Sequence, residues 1–496
     1  MKVAGIIAEY NPFHRGHQYH MSKTRKLSGA DYVIAIMSGN FVQRGEPAIC
    51  DKYMRTRMAL AGGADLVIEL PAQYATASAE TFAGAGVKLL SLLGCVDILS
   101  FGSEWGTLRD YESYVRLFTE ESESYQSLLR AFLAQGFTFP EARARAAAGI
   151  LSQSQNKQTE TMPSDGYDLN KRTEKAGKCG RSGLDIEMDT LGFLKEPNHI
   201  LGLEYLKALA ALSDPVFQSS EQSEKQSSGQ SDALSAGRSD EQSDGHSVEP
   251  SEFLSSRPAL YSGIRPLLIR REGAAYHDRQ LPQDMAVYPS ATAIREECMK
   301  ETPDENLLIR AMGEEGRRLF KEVIGGGSVS WDDLMPLLDY EMLMGHRFGR
   351  RLSDSVSLSD RDLYAHIVKC YQPGLSFREL VDHLHSRNQT DAALKRKLLR
   401  ILLRMDLQPF VKEQRISYAR VLGFRRQAAP LLKEIRRRVK IPVFQKPALG
   451  LKKLKGQALE DYLTDIRASD LYEQLAANKA GRPFLPEFKR QQIIIC

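Results

Sequence analysis

The sequence predicts a doubly wound α/β domain followed by a mostly α-helical region. Four near-continuous apolar runs, at 3–9, 31–38, 65–71 and 96–104, alternate with helix-like segments in the first hundred residues. Such runs are typical of parallel strands that are buried on both faces. Strands and helices that alternate at this spacing favour a parallel sheet with helices on both sides.

The helix-like segments between these runs support this interpretation. They read "GHQYHMSKTRKLSG", "KYMRTRMALAGG" and "AETFAGAGVKLLSLLG", and each ends near a glycine, which is expected just after a helix C-terminus. Further along, 197–212 predicts an amphipathic helix, 265–273 another buried strand and 288–300 a loop that opens a helix. In sheets of this kind ligands bind beyond the carboxyl ends of the strands.

Two polar stretches interrupt the α/β pattern, near 151–190 and at 218–256. The second contains 13 serines in 39 positions, a composition that cannot bury enough apolar surface to offset chain entropy. We therefore expect both to be disordered insertions. The α/β pattern resumes after each one, so 1–303 is predicted to form one α/β domain. A helical domain is predicted for 304–496, with helical segments at 306–323, 331–344, 362–370, 376–387, 391–406 and 418–439.

Composition narrows the functional classes. The chain is 42% hydrophobic and 26% charged, as is ordinary for globular proteins, and it contains no apolar run of the roughly 18 residues that span a bilayer. The N-terminus lacks a signal peptide, so a cytoplasmic protein with no membrane contact is expected. Six cysteines form no C-x-x-C pair, which favours reduced thiols. The net charge is only +4, but 391–440 holds 15 Lys and Arg against 4 Asp and Glu, which indicates a polyanionic partner.

The first predicted strand is followed by "EYNPFHRGHQYH", residues 9–20. His14 and His17 share one face of the predicted helix start, and Gly16 allows a ligand to approach the backbone closely. A helix N-terminus at this place binds phosphate, and two imidazoles add hydrogen bonds to charge that develops in a transition state. The pattern favours attack on the α-phosphate of a nucleotide.

Two alternatives for the histidine pair stay open, namely a cap or surface role and metal ligation. Metal-binding histidines on a helix more often lie four residues apart, with an acidic residue nearby, and no third ligand is near in the sequence. Neither a G-x-x-x-x-G-K-[ST] loop nor a G-x-G-x-x-G turn opens the first helix, so those two nucleotide-binding motifs do not explain the site.

The H-R-G-H string resembles the H-x-G-H signature of the nucleotidyltransferase superfamily that includes class I aminoacyl-tRNA synthetases. The longer strings "EYNPFHRGHQYH" and "SGNFVQRGEPAICDKYMRTRMALAGGADLVIELP" resemble the bacterial tRNA(Met) cytidine acetate ligase family. The resemblance extends to "SFGSE" (100–104), "PNHILGLEYLKAL" (197–209), "REGAAYHD" (271–278) and "SATAIR" (290–295), and more weakly into the C-terminal region. It implies a Rossmann-like sheet of the nucleotidyltransferase type, an ATP-binding role for the domain 1–303 and a tRNA-binding role for the helical domain 304–496.

The resemblance also implies an activity. Members of the family activate acetate with ATP, forming acetyl-adenylate and pyrophosphate. They then transfer the acetyl group to N4 of the wobble cytidine, C34, of elongator tRNA(Met). ATP would be a substrate, with Mg²⁺ bound through its phosphates and without a protein cage. Two other classes remain as alternatives: an adenylyltransferase that acts on a small mononucleotide in cofactor biosynthesis, and a non-catalytic RNA-binding protein.

The resemblance assigns roles to individual residues. His14, His17 and Arg295 are implied to be catalytic. For Gly102 the alternative is a tight turn, for Asn198 a helix N-cap and for Arg295 a solvated surface residue. The implied ATP contacts are Ile7, Ala8, Glu9, Tyr10, Asn11, Pro12, Phe13, His14, Arg15, Gly16, His17, Gln18, Tyr19, His20, Gly102, Asn198, Arg270, Arg271, Ser290 and Thr292.

Basic residues outside this site are candidates for RNA contact. Lys52, Arg55 and Arg57 follow the second strand, where they would meet pyrophosphate or RNA, or form a charged helix face. Phosphate contacts supply affinity and salt dependence rather than base choice. At 385–390, "HSRNQT" replaces a basic K-T-K-R run of the family. The predicted tRNA contacts are Lys397, Arg400 and Arg404 on one helical edge, and Arg425, Arg426 and Arg436, with Arg437 and Arg438 beside them.

Overall fold

The structure is a computed structural model, and it describes ten stretches of the chain. These are 1–160, 190–213, 263–272, 279–282, 284, 287–347, 365–367, 369–385, 390–405 and 415–496. The serine-rich segment 218–256 lies outside the described residues, and so does 161–189.

The central sheet has eight strands in the described residues. Seven form the order β10-β8-β5-β2-β1-β6-β7, and β9 pairs with β8. All neighbours are parallel except β8, which runs antiparallel to β5. A separate small hairpin, β3–β4, follows β2. The strands are β1 (Val3–Ala8), β2 (Tyr32–Ser38), β3 (Phe41–Val42), β4 (Glu46–Pro47), β5 (Leu66–Leu70), β6 (Ile98–Ser103), β7 (Arg265–Arg270), β8 (Ala419–Arg425), β9 (Val443–Phe444) and β10 (Ile493–Ile495).

The sheet is covered on both faces, which confirms the doubly wound fold class. Along β2, Ile34 and Ile36 belong to one hydrophobic core, whereas Val33 and Ala35 belong to the core on the opposite face. This alternation follows from the two-residue period of a strand. The five strands predicted from the sequence correspond to β1, β2, β5, β6 and β7, and all five are confirmed.

Helices connect the strands and form most of the C-terminal region. The helices are α1 (Arg15–Ser28), α2 (Lys52–Ala61), α3 (Ala72–Ala75), α4 (Ala79–Leu92), α5 (Leu108–Glu120), α6 (Glu123–Ala134), α7 (Phe139–Glu160), α8 (Pro197–Ser213), α9 (Ala291–Cys298), α10 (Glu305–Met312), α11 (Glu314–Ile324), α12 (Trp331–Arg347), α13 (Phe377–Leu384), α14 (Asp391–Leu402), α15 (Ala429–Arg438), α16 (Pro447–Lys453) and α17 (Gln457–Lys479). In the described part of the chain, no helix combines the length and the apolar character needed to cross a membrane.

The expectation of a helix over 418–439 is wrong in its first half. Residues 419–425 form strand β8, and only Ala429–Arg438 is helical. A strand is favoured here because its partners, β5 and β10, lie far away in the sequence and satisfy its backbone groups. The sheet therefore crosses the proposed domain boundary at 303/304, and that division stays a prediction.

Two further expectations need correction. The predicted start of the insertion near 151–190 is too early, because helix α7 continues to Glu160. The helix predicted over 306–323 is two helices that meet at Gly313, whose φ of 67° no continuous helix can include.

Candidate active site

A cavity of about 340 Å³ opens at the carboxyl ends of β1, β6 and β7, within the size range of small-molecule sites. Most residues implied as ATP contacts line it. Four do not: Pro12 and Phe13 are buried behind the wall, Arg15 lies near the Tyr288 ring, and Gln18 is exposed on α1. The predicted residues that line the cavity are Ile7, Ala8, Glu9, Tyr10, Asn11, His14, Gly16, His17, Tyr19, His20, Gly102, Asn198, Arg270, Arg271, Ser290, Thr292 and Arg295.

The two histidines of the motif cap helix α1. His14 is the N-cap residue, and its Nδ1 accepts a hydrogen bond of 3.1 Å from the Gly16 N–H. His17 completes a reciprocal box, because its Nδ1 accepts from the His14 N–H at 3.3 Å. The structural alternative for this pair is thus correct, and it coexists with a place in the cavity wall. The spacing of three residues serves the cap, as in a capping box.

These hydrogen bonds determine which ring nitrogen of each imidazole carries the proton. A ring nitrogen that accepts from a backbone N–H carries no proton, so both neutral rings hold their proton on Nε2. Burial, with the charges of Arg271 and Arg295, lowers the pKa of His14 to about 3. Burial also lowers the pKa of His17 well below its ordinary value and that of His20 to about 4. Before ligand binding, the three histidines are therefore neutral rather than cationic at pH 7, and His14 and His17 each carry an Nε2–H donor.

Gly16 is required by the geometry of the cap. A Cβ atom at this position would lie 2.9 Å from the Cε1 atom of His14, so any side chain would displace the capping imidazole. The backbone just before the cap is also unusual, since the buried Tyr10 has a φ of 48°. Residues seldom adopt this conformation outside glycine, and it is often found at functional sites.

Helix α9 brings the S-x-x-x-I-R segment to the same cavity. Arg295 donates from Nη1 to the Asn11 carbonyl at 2.7 Å and from Nη2 to Thr292 Oγ1 at 3.2 Å, so it is not a solvated surface residue. Burial, together with the charge of Arg44, lowers the pKa of Arg295, although a guanidinium remains charged at neutral pH. Ser290 caps α9, because its Oγ accepts from the Ala293 N–H at 3.0 Å.

Glu104, which was not predicted as a site residue, connects two of the implied ATP contacts. Its Oε1 accepts from Asn198 Nδ2 at 2.5 Å and from Arg271 Nη1 at 3.2 Å. Asn198 is the second residue of α8 rather than its N-cap. Gly102 lies within strand β6 and pairs with Ile269, so it forms no tight turn. Glu104 ends the quoted string "SFGSE", and its position just beyond a parallel strand was the signal that could have identified it.

The sequence prediction also missed Gln43 and Arg44, which line the cavity after strand β2. The Gln43 N–H donates to Glu9 Oε1 at 2.8 Å. From the C-terminal region, Arg396 Nη1 donates to the Gln43 carbonyl at 3.3 Å and Trp331 Nε1 donates to the Gly45 carbonyl at 2.9 Å. The loop 43–45 between β3 and β4 is therefore held by helices α12 and α14, which no local sequence signal indicates.

Lys52 and Arg55 are structural, so the expectation that they meet pyrophosphate or RNA is wrong. Lys52 is fully buried, and its Nζ lies 2.6 Å from both Glu69 Oε1 and Glu487 Oε1. Arg55 is also buried. It donates to the carbonyls of Glu9 at 2.7 Å, Cys50 at 3.1 Å and Ser38 at 3.2 Å, and also to that of Gly39. Arg57 is exposed.

The predicted tRNA contacts differ in accessibility. Arg400 is buried and donates to the Gln73 carbonyl at 2.9 Å, so its assignment as a tRNA contact is wrong. Arg404 is exposed but pairs with Glu341 at 2.5 Å, and the half-buried Arg425 donates to the Leu60 carbonyl at 2.9 Å. Lys397 is half-buried, whereas Arg426 and Arg436 are exposed. Arg437 and Arg438 are exposed and both pair with Glu434.

Among the described residues, no group of three or more His, Cys, Asp and Glu side chains has the arrangement of a metal site. Because the δ nitrogens of His14 and His17 already accept backbone N–H groups, the helix cap accounts for their spacing.

Comparison with known proteins agrees with this architecture. The family model described as HIGH Nucleotidyl Transferase matches residues 1–235 and 251–484. The tRNA(Met) cytidine acetate ligase of Caldanaerobacter subterraneus subsp. tengcongensis is 31% identical over 480 residues, which are 95% of each chain. The protein of the same name from Acetivibrio thermocellus is 30% identical over 502 residues and covers all of both chains.

Two solved structures of Thermotoga maritima TmcAL are similar to the fold over the whole chain. The apo form has a TM-score of 0.75 and 25% identity, with complete coverage of both chains. The form bound with alpha-thio ATP has a TM-score of 0.73 and 25% identity, and covers 100% of this chain and 99% of that one. With its neutral histidine cap at the carboxyl end of β1, and with these full-length matches, the chain belongs to the HIGH nucleotidyl transferase family and, within it, to the tRNA(Met) cytidine acetate ligases.

Proposed function

We propose that this protein activates acetate with ATP and acetylates N4 of the wobble cytidine, C34, of elongator tRNA(Met). The observation that carries the proposal is the cavity at the start of α1. There, backbone N–H groups, neutral imidazoles and the cations Arg271 and Arg295 converge on one space. Relatives named tRNA(Met) cytidine acetate ligase that match over the full length support the same activity.

The first step is a displacement at the α-phosphorus of ATP. An acetate oxygen attacks phosphorus, and the bond to the bridging oxygen of pyrophosphate breaks. Acetate is already an anion, so no base is required, and the barrier comes from bringing two anions together. Positioning and positive charge supply most of the catalysis in such reactions.

The residues of the cavity suit this step. The neutral rings of His14 and His17 carry Nε2–H groups that can donate to phosphate oxygens, while their δ nitrogens keep the helix start in place. Arg295 supplies a charge for the departing pyrophosphate. Mg²⁺, bound through the phosphates, would neutralise further charge, and Glu9 and Glu272 are the carboxylates in the cavity wall beside which such an ion would lie.

The second step requires a tRNA surface connected to this cavity. Helix α14, which carries Lys397, contacts the loop that lines the cavity through Arg396. Exposed cations at Arg426 and Arg436 add positive surface. The anticodon loop is single-stranded, so presenting its cytidine costs little unpairing. Because the proposed substrate is a tRNA, we also propose that the protein acts in the cytoplasm.

A product assay tests the proposal. The protein is incubated with ATP, labelled acetate and tRNA from cells that lack the modification, and the digested tRNA is analysed for N4-acetylcytidine. We expect the label in that nucleoside, with AMP and pyrophosphate as co-products. Transfer of AMP to a mononucleotide without acetylated tRNA would support the adenylyltransferase alternative and refute the proposal.

A further inference from the structure

The strand order divides the cavity into two sides. The implied ATP contacts come from β1, β6 and β7 and from helices α1, α8 and α9. On the other side of β1, the wall includes Gln43 and Arg44, which follow β2, whereas Ala79 and Phe82 belong to α4, which connects β5 to β6 and packs against α8. None of these four is implied to contact ATP. A reaction that joins ATP to a second substrate needs such a region.

We infer that Arg44 binds the carboxylate of acetate in a subsite on the β2–β5 side of the cavity. The inference rests on the proposed function, because it names the place of the second substrate of that reaction. A guanidinium suits this role, since its fork of N–H donors matches the two oxygens of a carboxylate.

The charges around the cavity support an anion at this place. Arg44 and Arg295 are close enough for the positive charge of Arg44 to lower the pKa of Arg295. The carboxylates of Glu46, Glu9 and Glu296 act on Arg295 in the opposite direction, and an anion bound to Arg44 would lower the mutual repulsion of the two guanidinium groups further. Acetate must approach the negatively charged triphosphate, and the positive charge of Arg44 would offset the repulsion between these two anions.

The remainder of the wall suits a methyl group. Ala79 and Phe82 present apolar surface, and the small side chain of Ala79 leaves room. Ala79 is also the first residue of α4, so the positive end of the helix dipole lies at the cavity wall, where Glu80 of the same first turn pairs with Lys207. The wall thus combines a cationic and an apolar part, as a short carboxylate requires.

The loop that carries Arg44 is held on both sides. The Gln43 N–H donates to Glu9 Oε1 at 2.8 Å, and the carbonyls of Gln43 and Gly45 accept from Arg396 and Trp331. Fixed backbone positions before and after Arg44 reduce the conformational entropy that the loop loses when a ligand binds. The C-terminal helices therefore position the residue that we assign to acetate.

The assignment gives the displacement a direction. Acetate enters from the β2–β5 side, its oxygen forms the new bond to the α-phosphorus, and the bond to the bridging oxygen breaks on the opposite face. Pyrophosphate takes the electron pair and departs toward Ser290, Thr292 and Arg295. No proton moves in this step, and attack and departure lie roughly in line, as phosphoryl transfer requires.

The test is acetate-dependent exchange of labelled pyrophosphate into ATP, measured without tRNA. Arg44→Gln and Arg44→Lys are compared with the wild type and with Arg57→Gln, which changes an exposed arginine of α2 outside the cavity. We expect Arg44→Gln to raise the KM for acetate at least about tenfold, the effect of losing a charged hydrogen bond, and to leave the KM for ATP within about twofold. Arg44→Lys should raise the KM for acetate by a smaller factor, and Arg57→Gln should not raise it.

The outcomes are distinguishable. A rise in the KM for ATP with an unchanged KM for acetate would place Arg44 on the triphosphate and overturn the inference, and so would normal kinetics in both variants. Binding of an ATP analogue to each variant checks that the nucleotide side is intact. If Arg44→Gln does not fold, Arg44→Lys decides the matter alone. If the wild type shows no acetate-dependent exchange, the proposed function fails, whatever the variants do.

Discussion

The backbone nitrogen of Arg396 lies against Gly45 so closely that the glycine has no space for a Cβ atom. Gly45 also has a φ of 75°, which side chains other than glycine rarely adopt. This contact joins helix α14, which carries the predicted tRNA contact Lys397, to the loop that presents Arg44 to the cavity. Two regions that are distant in sequence meet at one residue without a side chain.

Replacing Gly45 with alanine should therefore separate the loop from helix α14. We expect Gly45→Ala to raise the KM for acetate in the exchange assay and to lower stability by more than the roughly 1–3 kcal/mol of backbone strain alone. Gly29→Ala is the matched control, because Gly29 has a similar φ of 64° but nothing within 4 Å of the added Cβ atom. Equal effects of the two changes on stability and on acetate use would show that the contact with Arg396 is unimportant.

Arg55 should be needed for stability rather than for RNA binding. It donates to the carbonyls of Glu9, Ser38, Gly39 and Cys50, so Arg55→Met leaves buried acceptors without a donor. We expect this change to cost at least about 2 kcal/mol of unfolding free energy. Arg57→Met, on the exposed face of the same helix, should stay within about 0.5 kcal/mol. Denaturant unfolding measures both, and a near-neutral Arg55→Met would contradict the role.

A substitution of Glu104 should change the KM for ATP without changing the KM for acetate. Its Oε1 accepts from both Asn198 and Arg271, and Glu104→Gln keeps the shape but removes the charge that orients the arginine. We expect a rise of about tenfold in the KM for ATP and an unchanged KM for acetate. The Arg44 variants should instead raise the KM for acetate and leave the KM for ATP nearly unchanged. If Glu104→Gln and Arg44→Gln raise the same KM, the division of the cavity into two sides is wrong.

The buried histidines should make stability depend on pH. The pKa of His14 falls from its ordinary value of 6.5 to about 3 in the folded protein. Between those values the unfolded chain binds a proton that the folded chain does not, so stability decreases as the pH falls. The slope for one such group is up to about 1.4 kcal/mol per pH unit.

The substitution His14→Asn tests this dependence. Asparagine can still cap α1 but does not titrate, so the loss of stability from pH 6.5 to pH 5 should be smaller than in the wild type. Above pH 7.5 the two proteins should show parallel pH profiles, because the histidine is then neutral in both states. Unfolding midpoints across this range are the measurement. An unchanged acid slope would mean that His14 is protonated in the native protein.

The accessible cations should contribute to tRNA binding through phosphate contacts. Arg436→Gln is expected to weaken binding of elongator tRNA(Met). It should also reduce the slope of log affinity against log salt concentration by about one, because about one counterion fewer is released. Acetate-dependent exchange without tRNA should be unaffected. Arg310→Gln, an exposed arginine of α10 outside the predicted set, serves as the control. Equal loss of tRNA affinity in both variants would argue against a localised contact at Arg436.

The sequence alone determined the parallel sheet and the place of the site. Buried strands and glycine-ended helices leave a strong local periodicity, so β1, β2, β5, β6 and β7 were predictable. The histidine motif indicated the carboxyl end of β1 because a helix start after a parallel strand can lie only there. The family resemblance added Asn198 and Arg271, which the structure places in the cavity wall.

Tertiary structure decided what local patterns cannot encode. Strand β8 was mistaken for helix because its partners, β5 and β10, are distant in sequence. Lys52, Arg55 and Arg400 looked like solvent-exposed cations, yet buried acceptors from remote elements satisfy them. Arg44 carried no recognisable signal in the sequence, and only the fold placed it in the same cavity wall as Arg295. Periodicity reports which face of an element is apolar, whereas the partner of a charge depends on which elements the chain brings together.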